Sequence, residues 1–211
     1  MKVLIVGAGN MGRGIATRMA AAKAKLTIYD IDRAKAQAIA TDVGGQVTDS
    51  PRDAAAESDV VVLASWYAVN LEMARTLGPV VKGKIVVDIS NALNESYDAL
   101  VTDAGTSAGE NIRKLLPAEA RVIKAFNTTF AGTLAAGQVA GQPLDVFIAG
   151  DDDAAKATLA DLVRASGLNP IDVGALARSR ELEALAFLGI TLQFRLNTGF
   201  ATAWKLVLPT A

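Results

Sequence analysis

The stretch KVLIVGAGNMGRGIATRMAAAKAKLTIYD, Lys2 to Asp30, carries the architecture of this chain. From Lys2 to Val6 β-branched residues and leucine run without polar alternation and stop at a glycine cluster, the pattern of a strand buried on both faces. From Asn10 to Ala22 the apolar residues Met11, Ile15, Ala16 and Met19 recur at helical spacing, while Arg13, Arg18 and Lys23 fall at more exposed positions. Leu26 to Tyr29 reads as a second short strand ending at Asp30. Strand, tight turn, helix and strand within about thirty residues make a βαβ unit.

Outward from that unit the alternation continues. Helices are expected over Ala34–Ala40, Pro51–Glu57, Leu71–Leu77, Ala108–Leu116 and Ala154–Ala165. Strands are expected over Gln46–Thr48, Val60–Ala64, Ile85–Ile89, Arg121–Phe126 and Val146–Ala149. Repeated alternation predicts an α/β fold, a Rossmann-type doubly wound parallel sheet with a small C-terminal helical part. The division expected is a dinucleotide-binding domain over 1–174 and a helical segment over 175–211 used for packing or dimerisation. The segment Asn94 to Pro117 is more polar and is expected to cover an active-site edge. Glu181 to Leu208 is strongly apolar, with Gly189 and Gly199 as kinks or close-packing points, and is expected to pack on the sheet, on a second subunit or on both.

Composition narrows the chemistry. At 211 residues and 51% hydrophobic the chain can bury a sizeable core. Twenty-one basic residues against twenty-two acidic ones leave no charge bias toward nucleic acid or anionic lipid. Neither cysteine nor histidine is present, which removes thiolate nucleophiles, imidazole bases and a zinc site together and fits a cytoplasmic location. The apolar run at the start breaks at Gly7, short of a signal-peptide core, and no long uncharged stretch points to a membrane span.

GAGNMG, Gly7 to Gly12, is a weak pattern alone in a chain with 18 glycines, and its bland reading is a glycine-rich turn. Context makes it specific: it follows a strand, opens a helix, and precedes an acid at the end of the next strand. Gly7 would make the tight turn, Gly9 would let a pyrophosphate approach the backbone, and Gly12 would let helix and strand pack closely. Asn10 and Met11 then sit at the helix N-terminus, where amides face the phosphates. Asp30 stands where an acid accepts hydrogen bonds from the adenosine ribose, and its charge favours NAD. Arg33 offers a guanidinium to a 2′-phosphate or to adenine, or is a solvated surface charge. The cofactor expected is therefore NADP or NAD.

In an open α/β sheet the ligand lies beyond the carboxyl ends of the strands. Ser65, Trp66 and Tyr67 follow one strand, Ser90, Asn91 and Ala92 the next, and Asn127, Thr128 and Thr129 a third. Loop and cap chemistry would account for about half of such residues. Asn91 and Asn127 are the better nicotinamide candidates because an amide both donates and accepts. Ser65 and Trp66 are further cofactor candidates, and Tyr67, Thr128 and Thr129 are candidates for substrate contact. Arg180, Glu181 and Glu183 read as helix-end solvation rather than a substrate-side ion pair.

The phrases KAFNTTFAGTL (Lys124–Leu134), VVDISNAL (Val86–Leu93) and RELEAL (Arg180–Leu185) together resemble the NADPH-dependent deazaflavin (coenzyme F420) reductase family over nearly the whole chain. The chain is also similar to bacterial dinucleotide-binding oxidoreductases of unassigned substrate and to the reductase domain of the STEAP metalloreductases. The resemblance implies a Rossmann domain with a small helical part, a homodimer, and direct hydride transfer between nicotinamide and a flavin or deazaflavin acceptor. No catalytic acid or base is then required. Two departures stand out: Tyr29-Asp30-Ile31-Asp32-Arg33 replaces the family's serine-arginine pattern, and Asn91-Ala92 replaces its asparagine-proline pair.

Two other function classes are compatible with the same N-terminal half. One is a dehydrogenase or imine reductase for a small carbonyl compound, which needs a proton donor; Lys124 is expected inside a strand and Lys156 on a surface helix, neither well placed. The other is a non-catalytic dinucleotide sensor, for which a cofactor pocket suffices.

Overall fold

Strand β1 (Lys2–Val6) lies inside the sheet of the computed structural model, which describes residues 1–209. It pairs in parallel with β2 (Lys25–Tyr29) on one side, Val3 opposite Leu26, and with β4 (Val60–Leu63) on the other, Val3 opposite Val60. Beyond β2 lies the short β3 (Gln46–Val47). Beyond β4 come β5 (Ile85–Asp88) and β6 (Arg121–Lys124), then β9 (Asp145–Gly150) and β10 (Asn169–Gly174). The sheet order is thus β10-β9-β6-β5-β4-β1-β2-β3, while β7 (Gln138–Val139) and β8 (Gln142–Pro143) form a separate hairpin.

Because side chains alternate along a strand, β1 serves two cores at once. Val3 and Ile5 pack with Ile15 and Met19 of α1 (Asn10–Ala21), Ile39 of α2 (Arg33–Val43) and Leu159 of α7 (Asp153–Ala165). Leu4 and Val6 pack on the opposite face with Ala55 of α3 (Pro51–Glu57), Ala74 and Leu77 of α4 (Tyr67–Leu77) and Ile112 of α5 (Ala108–Leu115). Helices therefore cover both faces, as the Rossmann-type reading expects.

One part of the sheet departs from the expected all-parallel order. β9 runs antiparallel to β6, with Lys124 opposite Ala149, and β10 follows β9 in parallel. The chain leaves β6 through Phe126, at φ +64°, and enters α6 (Ala131–Ala136). A six-residue helix spans roughly 9 Å. With the β7–β8 hairpin after it, the connection stays at the carboxyl edge, where Phe130 and Ala131 line the cleft, and the chain comes back antiparallel as β9. Alternation does not mark α6 or β10 in the sequence, and Arg121–Phe126 stops as a strand at Lys124.

Within 175–211, α8 (Ser179–Leu196) is followed by an extended tail, and Thr210 and Ala211 lie outside the described residues. Gly189 is a close-packing point, since a Cβ there would stand 3.0 Å from Trp204 Nε1. Gly199, at φ +63°, turns the chain into the tail. The tail is tied to β9, where Asp145 accepts hydrogen bonds from Lys205 Nζ (2.5 Å) and Leu206 N (2.7 Å).

A buried charge cluster fixes α8 to the sheet. Lys124 is fully buried and donates to Asp88 Oδ2 and Glu183 Oε1, both at 2.7 Å, and to the carbonyl of Ser90. Asp88 also accepts from Ser90 Oγ (2.7 Å) and Asn70 Nδ2 (3.2 Å). Glu183 accepts from Ala108 N (3.0 Å) and Gly109 N (3.3 Å) at the start of α5, so a helix N-terminus shares the surplus negative charge. Burial alone would push the Lys124 ammonium down, but the two carboxylates outweigh it and hold its pKa above the usual lysine value. Glu183 is thus a buried partner and not the solvated helix-end charge expected from sequence. Arg180 does stay near the surface, forked onto Glu110 at 2.6 and 2.9 Å. Lys156 is likewise mostly buried, bonded to Asp172 at 3.0 Å, where a surface helix position was expected.

Lys124→Met would leave two carboxylates buried without a counter-ion and is expected to lower the unfolding free energy by about 3–5 kcal/mol. Adding Asp88→Asn and Glu183→Gln in the same chain should recover most of that loss. Chemical denaturation of the single and triple variants measures both effects, and unchanged midpoints in Lys124→Met would refute the assignment.

Candidate functional site

The turn between β1 and α1 is built by two close approaches. Gly7 has φ +112° and donates its N–H to Tyr29 O at 2.8 Å, and a Cβ on it would lie 2.6 Å from Ala64 O. A Cβ on Gly12 would lie 1.9 Å from Gly7 O, so only glycine lets α1 start against the end of β1. Gly9 is different, because a Cβ there would meet nothing within 4 Å. Its space faces open cleft, which is the place where a ligand's backbone-hugging group would go.

No side chain caps α1 at Gly9. In the same chain α2, α3, α5 and α7 are capped by Asp32, Ser50, Ser107 and Asp152. The first-turn amides of α1 therefore keep their hydrogen-bonding capacity at the positive end of a helix dipole, the donor set that a pyrophosphate uses. Asn10 and Met11 begin this helix and line the cleft. These residues fit a dinucleotide.

Asp30 closes the turn from the other side, its two oxygens accepting from Ala8 N at 2.6 Å and Asp32 N at 2.8 Å. Its carboxylate is thereby oriented at the end of β2, beside the glycine turn. Arg33, the first residue of α2, is exposed and ion-paired with Asp49. Within this region three acids, Asp30, Asp32 and Asp49, accompany that one guanidinium.

The cleft, about 890 Å³, extends from Gly9 across the carboxyl ends of β4, β5 and β6. Ser65, Trp66, Asn91, Asn127 and Thr129 all line it. Trp66 is 67% exposed and precedes α4. Asn91 and Asn127 clasp each other: Asn91 Nδ2 donates to Asn127 O (3.0 Å) and Asn127 Nδ2 donates to Asn91 Oδ1 (2.9 Å) and to Leu182 O of α8 (3.0 Å). With Nδ2 committed twice, Asn127 Oδ1 is left buried without a partner. Thr129 Oγ1 donates to Phe126 O at 2.7 Å.

Two expected substrate contacts are not brought to the wall. Tyr67 begins α4 and its hydroxyl accepts from Asn111 Nδ2 at 3.0 Å, which turns the ring toward α5. Thr128 is buried in the turn after β6 and does not line the cleft. In their place come Tyr97 from the segment after β5, Phe130 at the start of α6, Ile190 and Phe194 from α8, and Phe200 from the tail. The apolar stretch 181–208 signalled burial against something, but nothing in its local pattern shows that it reaches back over the carboxyl edge of the sheet.

Comparison with known proteins follows the same outline. Residues 2–92 match the family described as NADP oxidoreductase coenzyme F420-dependent. The chain is 29% identical to the F420-dependent NADP reductase of Methanocaldococcus jannaschii, over 92% of this chain and 94% of that protein. It is 31% identical to the Metalloreductase STEAP3 of Rattus norvegicus over 87% of this chain, which spans only 36% of that protein. A crystal structure from Arthrobacter sp. FB24, provisionally assigned as an F420-dependent NADP reductase, superposes with a TM-score of 0.87 at 30% identity, covering 99% of this chain and all of the other. On this full-length agreement in sequence and fold, the chain belongs to the family of coenzyme F420-dependent NADP oxidoreductases, within the NAD(P)-dependent oxidoreductase class.

Proposed function

We propose that this protein transfers hydride between NADP(H) and a flavin- or deazaflavin-type ring. The observation that carries this reading is the continuity of the cleft: it runs from the uncapped amides of α1 into a chamber walled by aromatic and uncharged side chains. A bound nicotinamide supplies the hydride, so the protein need only bind, orient and exclude water.

In this reading the first-turn amides of α1 hold the pyrophosphate, with Gly7, Gly9, Asn10, Met11 and Gly12 shaping the approach. Asp30 and Arg33 face the adenosine ribose, while Ser65, Trp66, Asn91 and Asn127 border the nicotinamide. Thr129 stays among the acceptor-side residues, and Tyr67 and Thr128 do not. Lys124 is spent in the buried cluster and supplies no proton to a carbonyl substrate. Segment 175–209 serves as an arm that closes the acceptor side, and a second copy of the chain covers Leu188 and Leu196, which are exposed on α8. A monomer in sedimentation equilibrium would overturn the dimer.

The reaction is tested by anaerobic NADPH oxidation with a 5-deazaflavin and with riboflavin, set beside a 2-oxo acid and a cyclic imine. Turnover with the rings alone is expected. Turnover only with the carbonyl or imine would move the protein to the small-substrate reductases, and nucleotide binding without any turnover would make it a sensor.

Two substitutions separate fold from cofactor site. Gly9→Val projects into open space and is expected to fold normally while losing dinucleotide affinity. Gly12→Ala drives a methyl group into Gly7 O and is expected to lose the fold itself. Thermal melts with and without NADPH distinguish the two. At the ribose end, Asp30→Asn keeps an acceptor for Ala8 N and removes a charge that opposes a 2′-phosphate. The NADPH to NADH ratio of kcat/KM should rise about tenfold, the equivalent of one moderate charge interaction; an unchanged ratio would show that Asp30 does not face the 2′ position.

A further inference from the structure

The two ends of the cleft differ in chemistry. At the glycine turn the donors are backbone amides. At the far end the walls are aromatic, in two separate groups. Trp66 and Tyr97 lie with ring centroids 6.3 Å apart. Phe200 packs edge-on against Phe130 at 5.2 Å and against Phe194 at 5.5 Å. Trp66 follows β4 and Phe130 follows β6, with β5 between them, so the two aromatic groups stem from different strands of the sheet.

Charge is nearly missing from this wall. Of the described side chains lining the cleft, Arg13 alone is ionised, and it is already ion-paired with Asp42 on the exposed side of α1. The polar groups beyond it are neutral, and four are already engaged: Ser90 Oγ on Asp88, Asn91 Nδ2 on Asn127 O, Asn127 Nδ2 on Asn91 and Leu182, and Thr129 on Phe126 O. Reading a phosphate or carboxylate on an acceptor's tail takes a guanidinium, an ammonium or a set of free amide donors. The amides of α1 are committed to the dinucleotide. Those at the N-terminus of α4, after Trp66, are the competing locus for an anion.

We infer that the acceptor is recognised through the faces of an uncharged planar ring, and that the anionic tail attached to that ring is not read. The substrate class is then any conjugated ring that accepts a hydride, whether flavin, deazaflavin or naphthoquinone, and whatever its side chain. Each two-electron reduction consumes one NADPH and one proton from water, yielding NADP⁺ and the dihydro ring. The inference rests on the hydride-transfer reading given above and narrows what the same site selects.

The test compares lumiflavin, riboflavin and FMN as acceptors for NADPH, which share one ring and differ in the tail, from about 50 mM to about 500 mM NaCl. Alongside it, the double variant Phe194→Leu/Phe200→Leu is assayed, with NADPH affinity measured separately by fluorescence. We expect kcat/KM for the three flavins to agree within about threefold, with less than about a twofold change across the salt range, since no ion pair is screened. The double variant should raise acceptor KM about tenfold with NADPH affinity unchanged, the loss expected for removing aromatic ring contacts. A tenfold or greater preference for FMN that fades with salt would show that the tail is read, by α4 or otherwise, and would overturn the inference while leaving hydride transfer intact. An unchanged acceptor KM in the double variant would overturn the aromatic recognition. Absence of turnover with these flavins and with the 5-deazaflavin, alongside NADPH binding, would overturn the hydride-transfer reading itself.

Discussion

The contact between Gly12 and the carbonyl of Gly7 fixes where everything else can go. Helix α1 can begin against the end of β1 only because no side chain intervenes, and this closeness brings its first-turn amides to the carboxyl edge of the sheet. Had α1 been capped by a side chain as α2 and α3 are, the helix would have been slightly more stable and a first-turn amide consumed. The chain instead places Gly9 at the cap, at a cost of roughly a few tenths of a kcal/mol relative to a capping side chain, and keeps donors for an anion. The α1 N-terminus thus keeps its donors open at small local cost, which suits the dinucleotide site proposed above.

The second anchor is electrostatic and lies at the other end of the cleft. Lys124 and its carboxylates join β5, β6, α5 and α8 at one point, and Ser90, whose carbonyl Lys124 also holds, lies on the cleft wall. Leu182 O, one residue before Glu183, orients Asn127. A buried ion pair contributes little net stability compared with an apolar replacement, so its use here is better understood as positional. It sets where α8 crosses, and α8 carries Ile190 and Phe194 to the wall of the cleft. The glycine turn and the lysine cluster therefore position the two halves of one site independently.

How much of this was legible in the sequence follows from the range of the interactions. The βαβ unit, the glycine roles and most strands are written in local periodicity, and the boundaries of β1 and α3 fall where that pattern ends. α6 was not visible because AGTLAA is too short to show a helical period, and without it the antiparallel return of β9 could not be foreseen. Glu183 looked like a solvated charge because its partners stand 59 and 75 positions away in the chain. Tyr67 and Thr128 follow the right strands, yet whether a side chain turns to the cleft or to a neighbouring helix depends on Asn111 and on the Phe126 turn. The aromatic wall from Phe194 and Phe200 depends on the crossing of α8, which no local pattern encodes.

The loop after β2, which we propose faces the adenosine, keeps a tension that the family assignment does not dissolve. The family is one of NADP oxidoreductases, yet the loop after β2 sets Asp30 and Asp32 beside a single Arg33 already paired with Asp49. The Arg33 pair is exposed, and exposed pairs contribute about 0–1 kcal/mol, so the guanidinium can leave Asp49 for a 2′-phosphate at small cost. Asp30 cannot yield in the same way, because both of its oxygens brace the turn through Ala8 and Asp32. The loop thus combines a movable cation with a fixed anion. Whatever discrimination it achieves between the two dinucleotides is bounded by the fixed charge, and a stronger demand for the phosphorylated cofactor would require rebuilding the turn and not merely adding a cation.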